Sequence, residues 1–220
     1  PILERYQALE DKVSAYTPGL DTQRLYRAFT YADAEHKGQL RKDGTPYITH
    51  PLAVAEIVAD LGLDADSVIA ALLHDTIEDT NATHEEVAKQ FGEMIGDMAH
   101  DMHVAGWYAP AMNIHRGAFS GRTFEYFSED SLLSGVMASN EIAGAKEKGV
   151  YSFMKHFALN DQETNRTNMV CTWANEQAIR ETYLKPFEMS VKEGGAQAVM
   201  SSFNYIGYTY AGASNNLLNT

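Results

Sequence analysis

Five side chains whose types suit metal binding and water activation lie in the N-terminal part of the sequence: His50, His74, Asp75, Glu78 and Asp79. His74 and Glu78 are four residues apart, as are Asp75 and Asp79, so on one helix the two pairs would share a face. Burying such groups directly after the apolar run 69–73 is costly unless a cation binds them. Two imidazoles and a carboxylate suit Mn, Fe or Zn, and a further carboxylate can orient or deprotonate a water. The pattern predicts a hydrolytic metal site, and the alternative is a helix end with ordinary surface charges.

Helical periodicity predicts the elements that position this cluster. Apolar residues recur at helical spacing over 25–36 and 52–61. Gly62 supplies a C-terminal stop, and Asp66 or Ser67 can cap the next helix. These signals predict that the N-terminal half is all-α.

A further helical pattern runs over 83–104 and begins with the capping-box residues Thr83 and Glu86. Gly92 and Gly96 weaken this helix prediction, because glycine is unfavourable inside a helix.

Short apolar runs then alternate with helical patterns. The runs cover 107–114, 150–158 and 197–206, and the helical patterns cover 133–148 and 174–192. This alternation is typical of βαβ units with a parallel sheet. The C-terminal half is therefore predicted to be α/β.

Three sequence blocks surround the candidate metal site, namely YADAEHKGQ (31–39), RKDGTPYITHP (41–51) and AALLHDTIEDT (70–80). In order and spacing they resemble the hydrolase domain of the RelA/SpoT alarmone enzymes, which belongs to the HD metal-dependent phosphohydrolases. The resemblance implies removal of the 3′-pyrophosphate of guanosine 3′,5′-bis-diphosphate, with Mn²⁺ or another divalent metal as cofactor. It also implies that His50, His74 and Asp75 are metal ligands. Glu78 and Asp79 would position or activate the attacking water.

Arg41 and Lys42 match the family's nucleotide-binding loop. There a guanidinium can stack on the base and an ammonium can neutralise a phosphate. The alternative is a solvated turn.

One part of the family pattern has no counterpart in this sequence. The resemblance implies a further Asp ligand in a motif resembling Ala-Asp-Arg-Leu-His-Asn, and no such motif follows Gly92. Four residues could substitute in principle, although the polar face of a helix explains them better: Asp97, His100, Asp101 and His103. We therefore expect the hydrolase activity to be impaired.

A second set of blocks follows, namely GWYAPAMNIHR (106–116), SGRTFEYFSED (120–130), KHFALNDQETNR (155–166) and MSSFN (200–204). They resemble the catalytic barrel of glycoside hydrolase family 3, the β-glucosidase group. The resemblance implies that Arg122, Lys155 and His156 bind sugar hydroxyls, and a charged pair at a strand end suits the mouth of a parallel barrel. The alternative is a salt bridge with Glu125 or Asp161.

The two resemblances predict a chimera. A partial HD-type phosphohydrolase domain would cover 1–92, and a TIM-like barrel segment of family 3 would cover 93–220. Glycoside hydrolysis needs two carboxylates, and the family's nucleophile and acid/base follow the matched blocks, so we expect sugar binding without turnover from this half. A non-catalytic chimera is the third hypothesis. The open strand edges of a barrel segment predict association into a homo-oligomer.

Composition limits the partners. Seventeen Lys and Arg against 30 Asp and Glu give a net charge of −13, which argues against non-specific binding to nucleic acid or to an anionic membrane. The single cysteine, Cys171, suits a reducing compartment. No apolar run could span a bilayer, and residues 1–10 have no basic segment followed by an apolar run of the kind a signal peptide has, so we expect a cytoplasmic location. The expected partner is a small molecule, either a guanosine polyphosphate or a glucoside.

Overall fold

The N-terminal unit, Pro1–Thr83, is built from helices. In the computed structural model, which describes residues 1–219, these are α1 (Ile2–Tyr16), α2 (Thr22–Glu35), α3 (Thr49–Asp60), α4 (Ala65–Leu73) and α5 (Thr76–Asp79). Asp21 caps α2 by accepting the Arg24 backbone N–H over 3.1 Å. The prediction of an all-α N-terminal half is confirmed.

Apolar side chains from α1 to α4 form the core of this unit. Its largest buried members include Tyr6, Leu9, Leu25, Phe29, Leu52 and Leu72. The rings of Tyr6 and Phe29 stack with centroids 4.4 Å apart, and Arg5 forms a bidentate ion pair with Glu56 across α1 and α3. This packing holds α3, which carries His50, and α4, which His74 and Asp75 directly follow.

Two local predictions in this unit are wrong. The residue that caps α4 is Asp64, neither Asp66 nor Ser67, because Asp64 has extended backbone and its carboxylate accepts the Ser67 N–H over 2.8 Å. The predicted start of α3 at Leu52 is also late, since the helix begins at Thr49. The C-terminal stop at Gly62 is confirmed by its φ of +69°.

The second unit begins at His84. Its helices are α6 (His84–Asp101), α7 (Ser131–Glu147), α8 (Glu176–Ala178), α9 (Lys185–Lys192) and α10 (Asn215–Leu218), with a π-helical turn at Ile179–Tyr183. Its strands are β1 (Gly106–Trp107), β2 (Tyr151–Phe157), β3 (Cys171–Thr172), β4 (Ala198–Ser201), β5 (Tyr205–Ile206) and β6 (Thr209–Tyr210).

The strands form two small sheets. In the first, β1, β2 and β4 lie side by side and parallel, and in the second β5 pairs parallel with β3 and antiparallel with β6. Helix α7 connects β1 to β2 along the chain and also packs on β2. The predicted alternation of parallel strands and helices is confirmed.

The run 150–158 forms one strand, β2, over most of its length, whereas the other two apolar runs do not form a single continuous strand. The run 107–114 forms strand only at its first residue, because Pro110 has no N–H to donate to a ladder. The Pro110 carbonyl oxygen still accepts a hydrogen bond from the Lys155 N–H over 3.0 Å. The run 197–206 divides into β4 and β5, which belong to different sheets.

Glycine lets α6 and α7 approach very closely. A Cβ on Gly92 would lie 2.0 Å from the carbonyl oxygen of Glu141, and one on Gly144 would lie 2.2 Å from that of Lys89. Gly92, which weakens the helix prediction locally, is thus required by packing. Gly92 also lies inside α6, so the boundary between the two compact units comes before residue 92. The assignment of 1–92 to an HD-type domain and of 93–220 to a family 3 segment stays a prediction.

Across the described residues 1–219, none of the helices has the length and apolar character that crossing a membrane requires.

Candidate functional site

Three candidate metal ligands converge in the N-terminal unit. His50 lies in the first turn of α3, and His74 and Asp75 directly follow α4. The Nε2 atoms of His50 and His74 lie 3.2 Å and 2.9 Å from the two carboxylate oxygens of Asp75. Within the described part of the chain, His50, His74 and Asp75 form the group of three side chains that could hold a metal ion, with ligand atoms within 4.8 Å of one another.

The chain turns at these ligands, so the prediction that both pairs lie along one continuous helix is wrong. Helix α4 ends at Leu73, and a new single turn, α5, begins at Thr76. Asp75, at φ −90° and ψ −3°, forms the break between them. The turn brings Asp75 to the imidazoles, whereas the Glu78 side chain is exposed.

The donor set fits a divalent metal ion. The His74 Nδ1 lies 2.8 Å from the carbonyl oxygen of Ala71. A carbonyl only accepts, so Nδ1 carries a proton, and Nε2 is the ring atom that faces the Asp75 carboxylate and can bind a metal. An imidazole anchored in this way by a backbone carbonyl is the common arrangement of a metal-bound histidine.

Tyr47 links the ligand cluster to Asp79. Its hydroxyl lies 3.2 Å from Asp75 Oδ2 and donates a hydrogen bond to Asp79 Oδ2. That bond, together with burial and the nearby carboxylate charges, raises the pKa of Tyr47 well above its usual value, so the phenol is protonated at neutral pH. Gln39 Nε2 donates to the backbone oxygen of Asp79 over 2.6 Å. Sequence reasoning missed Tyr47 and Gln39, although Tyr47 lies one turn before His50.

Arg41 and Lys42 lie in the turn that precedes Tyr47. The turn is closed by a 2.8 Å bond from the Arg41 N–H to the Thr45 carbonyl oxygen. The Arg41 guanidinium carbon lies 5.8 Å from the centroid of the Tyr47 ring, at the edge of the cluster, and Lys42 is exposed. Tyr47 and Gln39 also line a cleft of about 520 Å³ in this unit.

Of the residues considered as substitute ligands, Asp97, His100 and Asp101 lie on α6 and His103 lies just after it, all in the second unit. Asp97 forms a 3.1 Å ion pair with Lys148. The His100 side chain is 77% exposed. These contacts agree with the polar-face explanation.

Arg122 and Lys155 meet at one carboxylate in the second unit. Lys155 Nζ lies 2.8 Å from Glu125 Oε1, and Arg122 pairs with the other oxygen of Glu125. Burial acts to raise the pKa of Glu125, but the hydrogen bonds from Lys155 and Arg122 outweigh it and hold the pKa below its usual range. The structure therefore contains the salt bridge between Lys155 and Glu125 that the alternative explanation predicts. Asp161 pairs with Arg116 instead.

His156 is buried beside this cluster with 2% of its surface exposed. Its Nδ1 lies 3.3 Å from both the Tyr126 hydroxyl and Asn113 Oδ1. Burial, with the nearby cations, lowers the pKa of His156 to about 4, so the imidazole is neutral at pH 7. Lys155 and His156 lie among the last three residues of β2, which ends at Phe157, so the charged pair is at a strand end.

A cleft of about 610 Å³ lies next to this cluster. Glu163 forms one side of it and also pairs with Arg166 at 3.0 Å. Trp173, with a 60% exposed side chain, contributes an aromatic surface. Sequence reasoning assigned no role to these residues, although Glu163 and Arg166 belong to a block that carries the family resemblance.

Both sets of residues lie in parts of the chain that match known families. The sequence pattern of the glycosyl hydrolase family 3 N-terminal domain matches residues 73–220, more than half of the chain. The chain belongs to glycosyl hydrolase family 3. An HD domain matches residues 28–105 and overlaps the family 3 match. The prediction that sequences of two families are joined in one chain is confirmed.

Individual proteins match each half of this family 3 chain. Beta-glucosidase B of Emericella nidulans is 41% identical over 133 residues, 60% of the chain and 16% of that protein. A probable GTP pyrophosphokinase of Mycobacterium leprae is 46% identical over 98 residues, 44% of the chain and 12% of that protein. The structure of beta-glucosidase 3B from Thermotoga neapolitana in complex with glucose aligns at 42% identity and a TM-score of 0.60, covering 61% of the chain and 19% of that structure. The chain thus spans less than a fifth of each of these relatives.

Proposed function

We propose that the N-terminal unit is an HD-type phosphohydrolase that removes the 3′-pyrophosphate of guanosine 3′,5′-bis-diphosphate. The observation that carries the proposal is the convergence of His50, His74 and Asp75, with the His74 Nδ1 proton held by a backbone carbonyl. The relative named as a probable GTP pyrophosphokinase supports a guanosine nucleotide as the substrate class. Mn²⁺ is the proposed metal.

When bound at the three ligands, the metal supplies Lewis-acid activation of water. Asp79 is the proposed general base. Its Oδ2 accepts a hydrogen bond from the Tyr47 hydroxyl, so its Oδ1 is left to accept a proton from the attacking water. Glu78, exposed one residue before it, would position that water from the solvent side. Hydrolysis breaks the bond between the 3′-oxygen and the first phosphorus and releases pyrophosphate.

Arg41 and Lys42 are the proposed nucleotide-binding residues. Arg41 lies over the Tyr47 ring at the edge of the ligand cluster, where its planar guanidinium can stack on a base. Lys42, exposed in the same turn, can neutralise a phosphate. Since the sequence lacks the further Asp motif of the family, we propose that metal affinity and turnover are reduced.

Pyrophosphate release by the purified chain, measured with and without Mn²⁺, tests this function. We expect Mn²⁺-dependent release that His74→Ala abolishes and that His100→Ala, which changes an exposed histidine on α6, leaves unchanged. Release that is independent of metal, or equal in the two variants, would contradict the proposal.

A second candidate function is sugar binding by Arg122, Lys155 and His156. The polar groups of this cluster lie together beside a cleft with an exposed tryptophan, which suits a sugar's hydroxyls and apolar face. The aligned glucosidase structure, which is in complex with glucose, supports glucose as the ligand. Calorimetric titration with glucose tests this. Binding should be lost in Lys155→Ala and kept in Lys192→Ala, and no heat beyond dilution in the unaltered chain would reject it.

We also propose that β1, β2 and β4 form part of a TIM-like barrel and that their open edges support a homo-oligomer. Sedimentation velocity tests the second point: a species larger than the 24.4 kDa monomer is expected, and a monomer at every concentration would contradict it. A chain with neither pyrophosphate release nor sugar binding would be a non-catalytic chimera.

A further inference from the structure

A single hydroxyl lies between the two carboxylates that the proposed hydrolase uses. The Tyr47 hydroxyl donates to Asp79 Oδ2, and the hydroxyl oxygen of Tyr47 lies 3.2 Å from Asp75 Oδ2. Asp75 Oδ2 is also 3.2 Å from His50 Nε2. A phenol carries one proton, so it can donate to only one carboxylate at a time.

The Tyr47 ring is held in place by the segment between α2 and α3, to which Tyr47 itself belongs. His36, 3% exposed, stacks on the ring with centroids 4.7 Å apart at an interplanar angle of 23°. His36 Nδ1 lies 2.9 Å from Gln39 Oε1, and Gln39 donates to the backbone oxygen of Asp79. The loop between α2 and α3 therefore holds Asp79 at both its backbone and, through Tyr47, its carboxylate.

We propose that Tyr47 is a positioning residue that orients Asp75 as a metal ligand and Asp79 as a base. The inference rests on the proposed function. Tyr47 acts through the two carboxylates and takes no part in bond breaking.

Tyr47→Phe tests the inference, because it removes the hydroxyl and keeps the stacked ring. Outer-shell partners of metal ligands typically contribute about 10- to 100-fold in metal affinity, and we expect the dissociation constant for Mn²⁺, measured by calorimetry, to rise about 10-fold. Tyr16→Phe is the matched control. It also loses a tyrosine hydroxyl bond in this unit, the 2.9 Å bond to the Leu63 carbonyl oxygen, away from the ligands.

The outcomes separate the inference from the proposed function. If the unaltered chain binds no Mn²⁺, the proposed metal site is wrong and the inference falls with it. If the unaltered chain and Tyr47→Phe bind Mn²⁺ equally, the inference alone is wrong. An equal loss of affinity in both tyrosine variants would show general destabilisation and would also reject it. Support requires weaker binding in Tyr47→Phe alone, with the midpoints of thermal unfolding of the two variants matched.

Discussion

The imidazole of His74 is anchored by Ala71, whose carbonyl oxygen lies 2.8 Å from Nδ1. This contact orients the ring, so that Nε2 faces the Asp75 carboxylate and the His50 ring. The two histidines and the carboxylate thus bring their ligand atoms within 4.8 Å of one another. The predictions for the N-terminal unit follow from this organisation.

Metal binding should stabilise the N-terminal unit against unfolding. A ligand that binds only the folded state at 100 times its dissociation constant adds about 2.7 kcal/mol to the free energy of unfolding. Urea denaturation with and without Mn²⁺, followed by circular dichroism, measures this gain. Asp75→Asn keeps the side-chain shape but removes the charge, and we expect it to abolish the gain. The same gain in that variant would place the metal elsewhere.

Gly92→Ala should destabilise the second unit. The added methyl group would meet the Glu141 backbone oxygen at 2.0 Å, so α6 and α7 must separate. Overpacking typically costs about 1–3 kcal/mol, and we expect a loss of at least this size in chemical denaturation. Gly117→Ala is the control, because a Cβ there has no heavy atom of the described chain within 4 Å. Equal stability of the two variants would show that the helices are not packed so closely.

The stability of the second unit should fall as the pH rises through the neutral range. Burial raises the pKa of Glu141 from 4.5 to about 8, so the folded state binds more protons than the unfolded state between these values. Glu141 therefore lowers the free energy of unfolding as the pH rises from 4.5 to 8. The lowered pKa of His156 has the opposite effect between about pH 4 and 6.5, so the net decrease is expected between pH 6.5 and pH 8. Each unit of pKa shift corresponds to about 1.4 kcal/mol, so the total effect is a few kcal/mol.

Glu141→Gln should remove most of this decrease and give a variant more stable than the unaltered chain at alkaline pH. Urea midpoints measured across the pH range check this, with the exposed Glu129→Gln as the control. A Glu141→Gln variant with the same pH profile as the unaltered chain would contradict a raised pKa for Glu141.

The metal cluster could be predicted from residue types and motif spacing, but its local geometry could not. His50, His74 and Asp75 do converge, whereas the break between α4 and α5 that turns Asp75 toward the imidazoles has no clear signal in the helical periodicity. Tyr47 and Gln39 were missed because they lie in a loop, where no hydrophobic pattern shows which way a side chain points.

Local propensity also misjudged two features of the second unit. Gly92 lowers helix propensity, yet α6 continues through it because the packing of α7 requires a residue without a side chain. The apolar run from Trp107 to Ile114 predicts a long strand, but Pro110 limits pairing and leaves isolated contacts such as Ala111 with Lys155. For Gly92 a contact distant in sequence outweighs the local propensity, whereas for the apolar run a single residue within it, Pro110, limits the strand.

The central claim is that His50, His74 and Asp75 form a metal site that hydrolyses a guanosine polyphosphate. The most direct test measures bound metal and pyrophosphate release together, on the purified chain in Mn²⁺ buffer with guanosine 3′,5′-bis-diphosphate. We predict about one Mn²⁺ per chain, as expected for a single three-ligand site, and pyrophosphate release, both lost in His74→Ala. A chain without bound metal, or one whose metal content and pyrophosphate release are unchanged by His74→Ala, would contradict the claim.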